Sequence, residues 1–257
     1  MSPDKKLNAI FFILLAVLVA VDLGFGISFW WYGLVVAIYL SVCVAGSFLL
    51  AAGFFLPVTS HGSRAINKVA LTFDDGPIRG QTDRILAILK EHQVQATFFC
   101  IGARVDENPE LVLKIINAGH VIGNHTYYHK RSFGFLSTKK VARELQDTDM
   151  QIAEILGRKP RFFRPPYGVT NPMIAKAIAK GSYITIGWSI RSFDTIIKNP
   201  ARLFRRVTAQ LSAGDIILFH DYSNSMIEIL PDFIQYIKQK GFQIAPISEL
   251  LNEEPYR

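Results

Sequence analysis

The sequence predicts an α/β fold built around a parallel β-sheet and preceded by an apolar N-terminal segment. From residue 69 onward, short apolar runs alternate strictly with helix-like stretches, as they do in βα-repeat proteins. The apolar runs are nearly continuous, which is typical of strands that are buried on both faces of a sheet. About seven repeats in roughly 190 residues favour a barrel over an open sheet.

The N-terminal segment contains two apolar stretches. Lys5 and Lys6 precede the first, which covers residues 7–21, and a second uncharged stretch has its apolar heart at residues 27–58. Crossing a bilayer core of about 30 Å takes about 20 residues, so the second stretch is long enough to span a membrane. The first stretch is shorter, and it fits either a tight first span or a signal-like segment.

We expect the chain to divide into a membrane segment at 1–58, a linker at 59–67 and a catalytic domain at 68–252. Within the membrane segment we expect two transmembrane helices at about 7–23 and 30–56, with a single anchor as the alternative. The aromatic residues at 30–32 would then lie at a membrane interface.

The side of the membrane that carries the domain stays open. Lys5 and Lys6 favour a cytoplasmic N-terminus. A helical hairpin would return the domain to the cytoplasm, whereas a single crossing would place it outside. In both cases we expect a protein of the cell (inner) membrane, with membrane lipid as a partner.

Composition limits the other partners. The formal net charge of +7 suits an anionic membrane surface or an acidic polymer. The sequence has no Lys/Arg-rich run, zinc-finger spacing or RNA-binding motif, so we expect no nucleic acid partner. Cys43 lies in an apolar stretch and Cys100 in a predicted strand, so they indicate no disulfide framework.

The predicted elements alternate along the whole domain. Strands are expected at 69–73, 96–101, 120–123, 161–164, 184–188, 215–219 and 242–245. Helices are expected near 82–92, 109–118, 138–156, 172–180, 200–211 and 226–240. In such folds the active-site residues lie at the carboxyl ends of the strands, so polar residues that directly follow a strand are the candidates for a catalytic or binding site.

Two adjacent carboxylates, Asp74 and Asp75, end the first strand and are followed by Gly76 and Pro77. Like charges beside a core raise one of the two pKa values, and a bound cation would relieve that repulsion. The pattern therefore indicates a division of labour, in which one carboxylate holds a metal ion and the other acts as a base. A solvated turn after a strand is the alternative.

Three further strands end in residues suited to the same chemistry. His125 and His129 are four residues apart, and two imidazoles with one carboxylate make a zinc site with an open position. Arg164 precedes a stiff Pro-Pro turn and could keep a catalytic carboxylate ionised. His220 ends the strand at 215–219, where histidine can protonate a leaving amine at neutral pH.

These four segments, 72–77, 125–129, 164–167 and 217–220, resemble four of the five motifs of the polysaccharide deacetylase family, the NodB homology domain of carbohydrate esterase family 4. They occur in the family's order, and the resemblance covers about residues 67–251. It implies a distorted (β/α) barrel and a divalent metal ion. The ion would be zinc in the first place, with cobalt, nickel or manganese as alternatives.

The resemblance also implies roles for individual residues. The metal ligands would be Asp75, His125 and His129. Asp74 would be the general base, oriented by Arg164, and His220 the general acid. The backbone N–H of Tyr167 would help to bind the oxyanion.

One motif departs from the family pattern. Arg191 stands where an aspartate is expected after the Trp-Ser strand end, and Thr195 stands where a tryptophan is expected. Asp194 remains and could pair with Arg164 or Arg191 as an arginine tether. The missing tryptophan affects the expected wall of the acyl pocket, but it leaves the metal ligands, base and acid in place.

The sequence therefore predicts a metal-dependent hydrolase that removes an N-acyl group from an amino sugar. Its substrate would be an N-acylated glycan such as a cell-envelope polysaccharide or peptidoglycan, or a lipid-linked sugar. An O-deacetylase acting on a polysaccharide ester is an alternative, because the same groups serve an ester. A catalytically silent sugar-binding envelope protein is the other alternative.

Overall fold

The computed structural model describes residues 2–257 and begins with two antiparallel apolar helices, α1 (Pro3–Phe25) and α2 (Trp30–Phe48). Their contact includes a hydrogen bond of 2.9 Å from the Tyr39 hydroxyl to the Asn8 side chain. Apolar side chains of both helices are largely exposed, and by length and composition both helices could cross a membrane. The start of α1 and the end of α2 lie at the same end of this hairpin, because the Asp4 N–H donates to the carbonyl of Phe54.

The second helix ends at Phe48, earlier than the expected end near residue 56. A short 3-10 helix follows at Leu50–Ala52, and Gly53 turns the chain with a φ of 56°. Leu56 then packs in an apolar cluster of the domain instead of continuing α2. The apolar stretch in the sequence thus contains both a largely exposed helix and residues that are buried in the domain, and its hydropathy alone does not separate the two.

The predicted linker at 59–67 begins on the sheet itself. Thr59 forms an isolated parallel bridge to Ile186, and His61 forms an antiparallel bridge to Asp215. The division of the chain into segments stays a prediction, but residues 59–61 are held in place by these backbone contacts.

The domain contains eight strands and eight further helices among the described residues. The strands are β1 (Lys68–Gly76), β2 (Thr97–Cys100), β3 (Val121–Asn124), β4 (Phe162–Phe163), β5 (Ile184–Thr185), β6 (Ile190–Arg191), β7 (Ile216–His220) and β8 (Gln243–Ile244). The helices are α3 (Gln81–Glu91), α4 (Gly102–Glu107), α5 (Pro109–Asn117), α6 (Thr138–Leu156), α7 (Pro172–Gly181), α8 (Pro200–Thr208), α9 (Asn224–Gln239) and α10 (Ile247–Leu251). The short elements β6, α4 and α10 were not expected from the sequence, because each is too short to show a hydrophobic period.

All strand pairs are parallel, in the order β5-β4-β3-β2-β1-β7-β6, with β8 beside the start of β1. No ladder joins β5 to β6 within residues 2–257, so the sheet is curled into a half-barrel rather than closed. The prediction of an α/β fold with a distorted barrel is confirmed.

The centre of the sheet is a fully buried aromatic layer. The rings of Phe73 and Phe98, from β1 and β2, stack with centroids 5.0 Å apart, and Phe219 of β7 lies 6.1 Å from Phe73. Pairing of β1 with β7 brings Asp74 level with His220. The carboxyl ends of β1, β3, β4 and β7 therefore meet at one edge of the sheet.

Candidate metal and catalytic site

The two carboxylates at the end of β1 are both buried, with 3 % of Asp74 and 8 % of Asp75 exposed. The pairing of β1 with β2 is irregular between Asp74 and Gly76, and Asp75 has a φ of 71°, in the left-handed region. Thr126, His129 and Tyr167 also have positive φ values. Such conformations cost energy for residues with a Cβ, and they concentrate at functional sites.

The three predicted metal ligands meet around one point. Oδ1 of Asp75 lies 3.4 Å from Nε2 of His125 and 3.4 Å from Nε2 of His129. These ligand atoms all lie within 4.8 Å of one another. Two atoms bound to one tetrahedral zinc ion would be separated by about 3.4 Å, so the cluster has the spacing of a zinc site.

Hydrogen bonding also favours a cation at this cluster. Oδ1 of Asp75 is buried and has no hydrogen-bond partner among the described residues. Nδ1 of His125 lies 2.8 Å from the carbonyl of Arg164, so a proton on Nδ1 leaves the Nε2 lone pair free. Burial lowers the pKa of His129 to about 4 despite the opposing charge of Asp75. His129 is therefore neutral at pH 7, as a metal ligand must be.

The loop that carries the two histidines is held by residues that the sequence did not single out. The side-chain oxygen of Asn124 accepts the Thr126 N–H at 2.9 Å. Glu144 of α6 accepts the N–H groups of Tyr127 and Tyr128 at 3.0 and 2.9 Å. Asn124 could have been suspected from its place at a strand end, but Glu144 lies in an amphipathic helix and carries no sequence signal.

Asp74 is paired with Arg164. Nη1 of Arg164 lies 2.7 Å from Oδ1 of Asp74, and the arginine side chain is fully buried. The guanidinium also donates to the Thr72 hydroxyl at 2.8 Å and to the carbonyls of Gly187 at 2.8 Å and Ile186 at 3.3 Å. Main-chain oxygens and one hydroxyl thus hold the arginine in place where the sequence suggested that a carboxylate tether was needed.

Asp194 contacts the predicted acid instead of an arginine, which corrects the suggested tether. Its Oδ1 lies 2.8 Å from Nδ1 of His220, and its Oδ2 accepts the His220 N–H at 2.9 Å. Burial by itself lowers the pKa of His220, but the hydrogen bond and charge of Asp194, with the charges of Asp74 and Asp75, raise it above its ordinary value. Loop geometry after β6, which sequence spacing does not reveal, decides this pairing.

These side chains line a cavity of about 320 Å³ at the edge of the sheet. Asp74, Asp75, His125, His129, Tyr167 and His220 all line it, so the predicted residues are brought together, with Arg164 behind Asp74 and Asp194 behind His220. The two substituted positions, Arg191 and Thr195, also line the cavity. Arg191 lies over the rings of Trp188 and Phe193, at 5.5 and 4.8 Å from their centroids.

Comparison with known proteins identifies similar chains. A family profile described as Polysaccharide deacetylase matches residues 61–185. A peptidoglycan-N-acetylglucosamine deacetylase of Bacillus cereus is 34 % identical over 192 residues, covering 71 % of this chain and 87 % of the relative. The peptidoglycan-N-acetylglucosamine deacetylase PgdA of Listeria monocytogenes is 33 % identical over 187 residues, or 73 % of this chain. The match spans 39 % of that longer relative.

A solved structure gives the same fold. The crystal structure of the Bc1960 peptidoglycan N-acetylglucosamine deacetylase superposes with a TM-score of 0.74 and 29 % sequence identity. The superposition covers 78 % of this chain and 95 % of the solved chain.

Proposed function

Because this chain belongs to the polysaccharide deacetylase family, we propose that it is a metal-dependent hydrolase that removes an N-acyl group from an amino sugar of a cell-envelope glycan. The observation that carries the proposal is the meeting of the Asp74–Arg164 pair with the cluster of Asp75, His125 and His129. The simplest acyl group is acetyl, as the names of the relatives suggest.

The chain's own residues supply the proton transfers of amide hydrolysis. A divalent ion held by Asp75, His125 and His129 would polarise the acyl oxygen and lower the pKa of a water molecule. Asp74, oriented through Oδ1 by Arg164, accepts the proton of the attacking water. His220 presents Nε2 to the leaving amine because Asp194 holds Nδ1, and it donates the proton that the amine needs to depart.

The oxyanion would be stabilised by a backbone donor beside the cavity. Tyr167 lines the cavity in a left-handed turn, with a φ of 59°, between Pro166 and Gly168. Its side-chain hydroxyl donates to the carbonyl of His129 at 3.3 Å, which ties this turn to the histidine loop. We propose that the Tyr167 N–H donates a hydrogen bond to the developing oxyanion, since preorganised donors contribute strongly to the catalysis of acyl transfer.

We further propose that the hairpin of α1 and α2 spans the cell membrane. Both helices expose apolar side chains, and α2 has 19 residues, which at 1.5 Å per residue gives about 28 Å. The hairpin places Lys5, Lys6 and the domain on the same side. The positive-inside tendency then puts the domain in the cytoplasm. A lipid-linked glycan at the inner leaflet fits this arrangement better than assembled peptidoglycan.

Amine release from matched substrates tests the proposed activity. The full chain, purified in detergent and loaded with zinc, would be assayed on N-acetylated glycan oligomers, lipid-linked N-acetyl amino sugars and an O-acetylated xylan. We expect amine release that disappears after chelation and in Asp74→Asn. Release of acetate from the ester alone would favour an O-deacetylase. Binding of one metal ion without turnover of any substrate would favour a silent binding protein.

A further inference from the structure

A groove of about 640 Å³ runs from the end of α2 to the active-site loops. One wall is formed by Val44 and Phe48 of α2, and the other by Phe135 and Val169 of the domain. Phe135 is 93 % exposed and Phe48 is 67 % exposed, although both are large apolar side chains. Exposure of Phe48 is expected for a helix that faces lipid, but a large exposed apolar side chain such as Phe135, next to other apolar residues of the soluble domain, indicates a site of interaction.

Away from the catalytic cavity, the polar side chains of the groove are those of Ser47 and Asn171, and both have partners within the protein. The Ser47 hydroxyl donates to the carbonyl of Cys43 at 3.0 Å. The Asn171 side chain donates to the carbonyl of Gly134 at 2.6 Å and caps α7 by accepting the N–H groups of Met173 and Ile174. The walls therefore offer little hydrogen bonding to an occupant, and an apolar occupant fits them better than a glycan chain would.

The groove is continuous with the catalytic cavity. Arg131 and Tyr167 border both spaces. Arg131 forms no ion pair with any residue from 2 to 257, so its charge is available at the junction. A guanidinium between a polar cavity and an apolar groove suits a phosphate group that joins a sugar to a hydrocarbon chain.

We propose that this groove binds the hydrocarbon chain of a lipid-linked substrate, with Arg131 at its phosphate and the N-acylated sugar at Asp75, His125 and His129. The inference rests on the proposed deacylase function and names its substrate class as an amino sugar joined through phosphate to a long isoprenoid or alkyl chain. The wall contributed by α2 favours a lipid chain over other apolar ligands, because α2 is the helix proposed to lie in the bilayer. A chain that leaves the bilayer beside α2 enters the groove next to Val44 and Phe48.

The test compares one sugar in two forms. The zinc-loaded full chain in nanodiscs would be given an N-acetyl amino sugar that is either water-soluble or linked through diphosphate to a polyprenyl chain. We expect kcat/KM for the lipid-linked form to exceed that of the soluble form by about tenfold or more. Phe135→Ser should reduce this ratio by about tenfold, as expected for losing the burial of a large apolar side chain. Leu113→Ser replaces a large, exposed apolar side chain of α5 away from the groove, and this control should leave the ratio unchanged.

A binding measurement separates this inference from the proposed activity. A polyprenyl diphosphate without sugar should bind the full chain, and its Kd should rise about tenfold in Phe135→Ser and in Arg131→Gln. Arg202→Gln, on the exposed surface of α8, is the control for lost charge. If no sugar is deacylated but the probe binds in this pattern, the activity is wrong and the groove stands. If the soluble sugar is deacylated as well as the lipid-linked one and the probe binds all variants equally, the groove assignment is wrong and the activity stands.

Discussion

Nδ1 of His220 lies 2.8 Å from Oδ1 of Asp194, and the second oxygen of Asp194 accepts the His220 backbone N–H. One carboxylate thus fixes both the tautomer and the position of the proposed acid. The side chain of Asp194 is fully buried, whereas that of His220 is 18 % exposed toward the cavity. The imidazole therefore keeps one nitrogen for its anchor and one for the substrate.

Replacing this anchor should change the pH dependence of catalysis. The Asp194→Asn variant loses contributions that raise the pKa of His220, so that pKa should fall. An acid must be protonated to act, and activity declines as pH rises through its pKa. The alkaline limb of kcat should therefore move to lower pH. Asp232→Asn on the exposed surface of α9 is the control, and an unmoved alkaline limb in Asp194→Asn would contradict the assigned role.

The buried pair of Asp74 and Arg164 should be necessary for both folding and turnover. Arg164→Gln leaves the Asp74 charge buried without its partner, which typically costs about 3–5 kcal/mol of unfolding free energy. Arg161→Gln breaks a half-exposed pair with Glu253 and should cost about 0–1 kcal/mol. Thermal unfolding of both variants in detergent measures the difference. Equal losses of unfolding free energy in the two variants would contradict the stabilising role assigned to the buried pair of Asp74 and Arg164.

A bound metal ion should stabilise the fold. Adding zinc at a hundred times its dissociation constant should raise the free energy of unfolding by about 2.7 kcal/mol, visible as a higher Tm that chelation reverses. Asp75→Asn and His129→Ala should abolish this rise. His92→Gln changes a partly buried histidine at the end of α3, outside the candidate metal cluster, and should retain the rise. A zinc-dependent Tm that survives in Asp75→Asn would place the ion elsewhere.

His120 should make the protein less stable in acid. Burial lowers its pKa to about 4, and its Nδ1 accepts the Ala96 N–H at 3.2 Å, which requires an unprotonated nitrogen. The folded pKa lies below the unfolded value of about 6.5, so this contribution is complete above pH 6.5 and is lost as pH falls toward 4. The loss amounts to roughly 3 kcal/mol. In His120→Asn the stability should vary less over this range, and an unchanged slope would refute the assignment.

The site could be read from the sequence because its residues directly follow strands. Asp74, Asp75, His125 and Arg164 lie where parallel strands end, and the fold brings those ends together. The arginine partner predicted for Asp194 is wrong. The geometry of the loop after β6 determines which side chain Asp194 contacts, and the spacing of residues in the sequence does not contain that information. The predicted end of α2 near residue 56 is wrong for a related reason. Leu56 is apolar because it packs in a cluster of the domain that is distant in sequence, not because it belongs to α2.

The packing of residues 50–61 against the sheet has a mechanical consequence. Leu50 is buried beside the turn that contains Gly168, and Thr59 and His61 are bridged to the sheet, so no slack tether separates the hairpin from the catalytic edge. With the hairpin in a bilayer, the cavity would work at one fixed height above the lipid surface. A lipid-linked substrate, as proposed above, would then reach the cavity by lateral diffusion in two dimensions, and the rate should follow its surface density in the membrane rather than its bulk concentration.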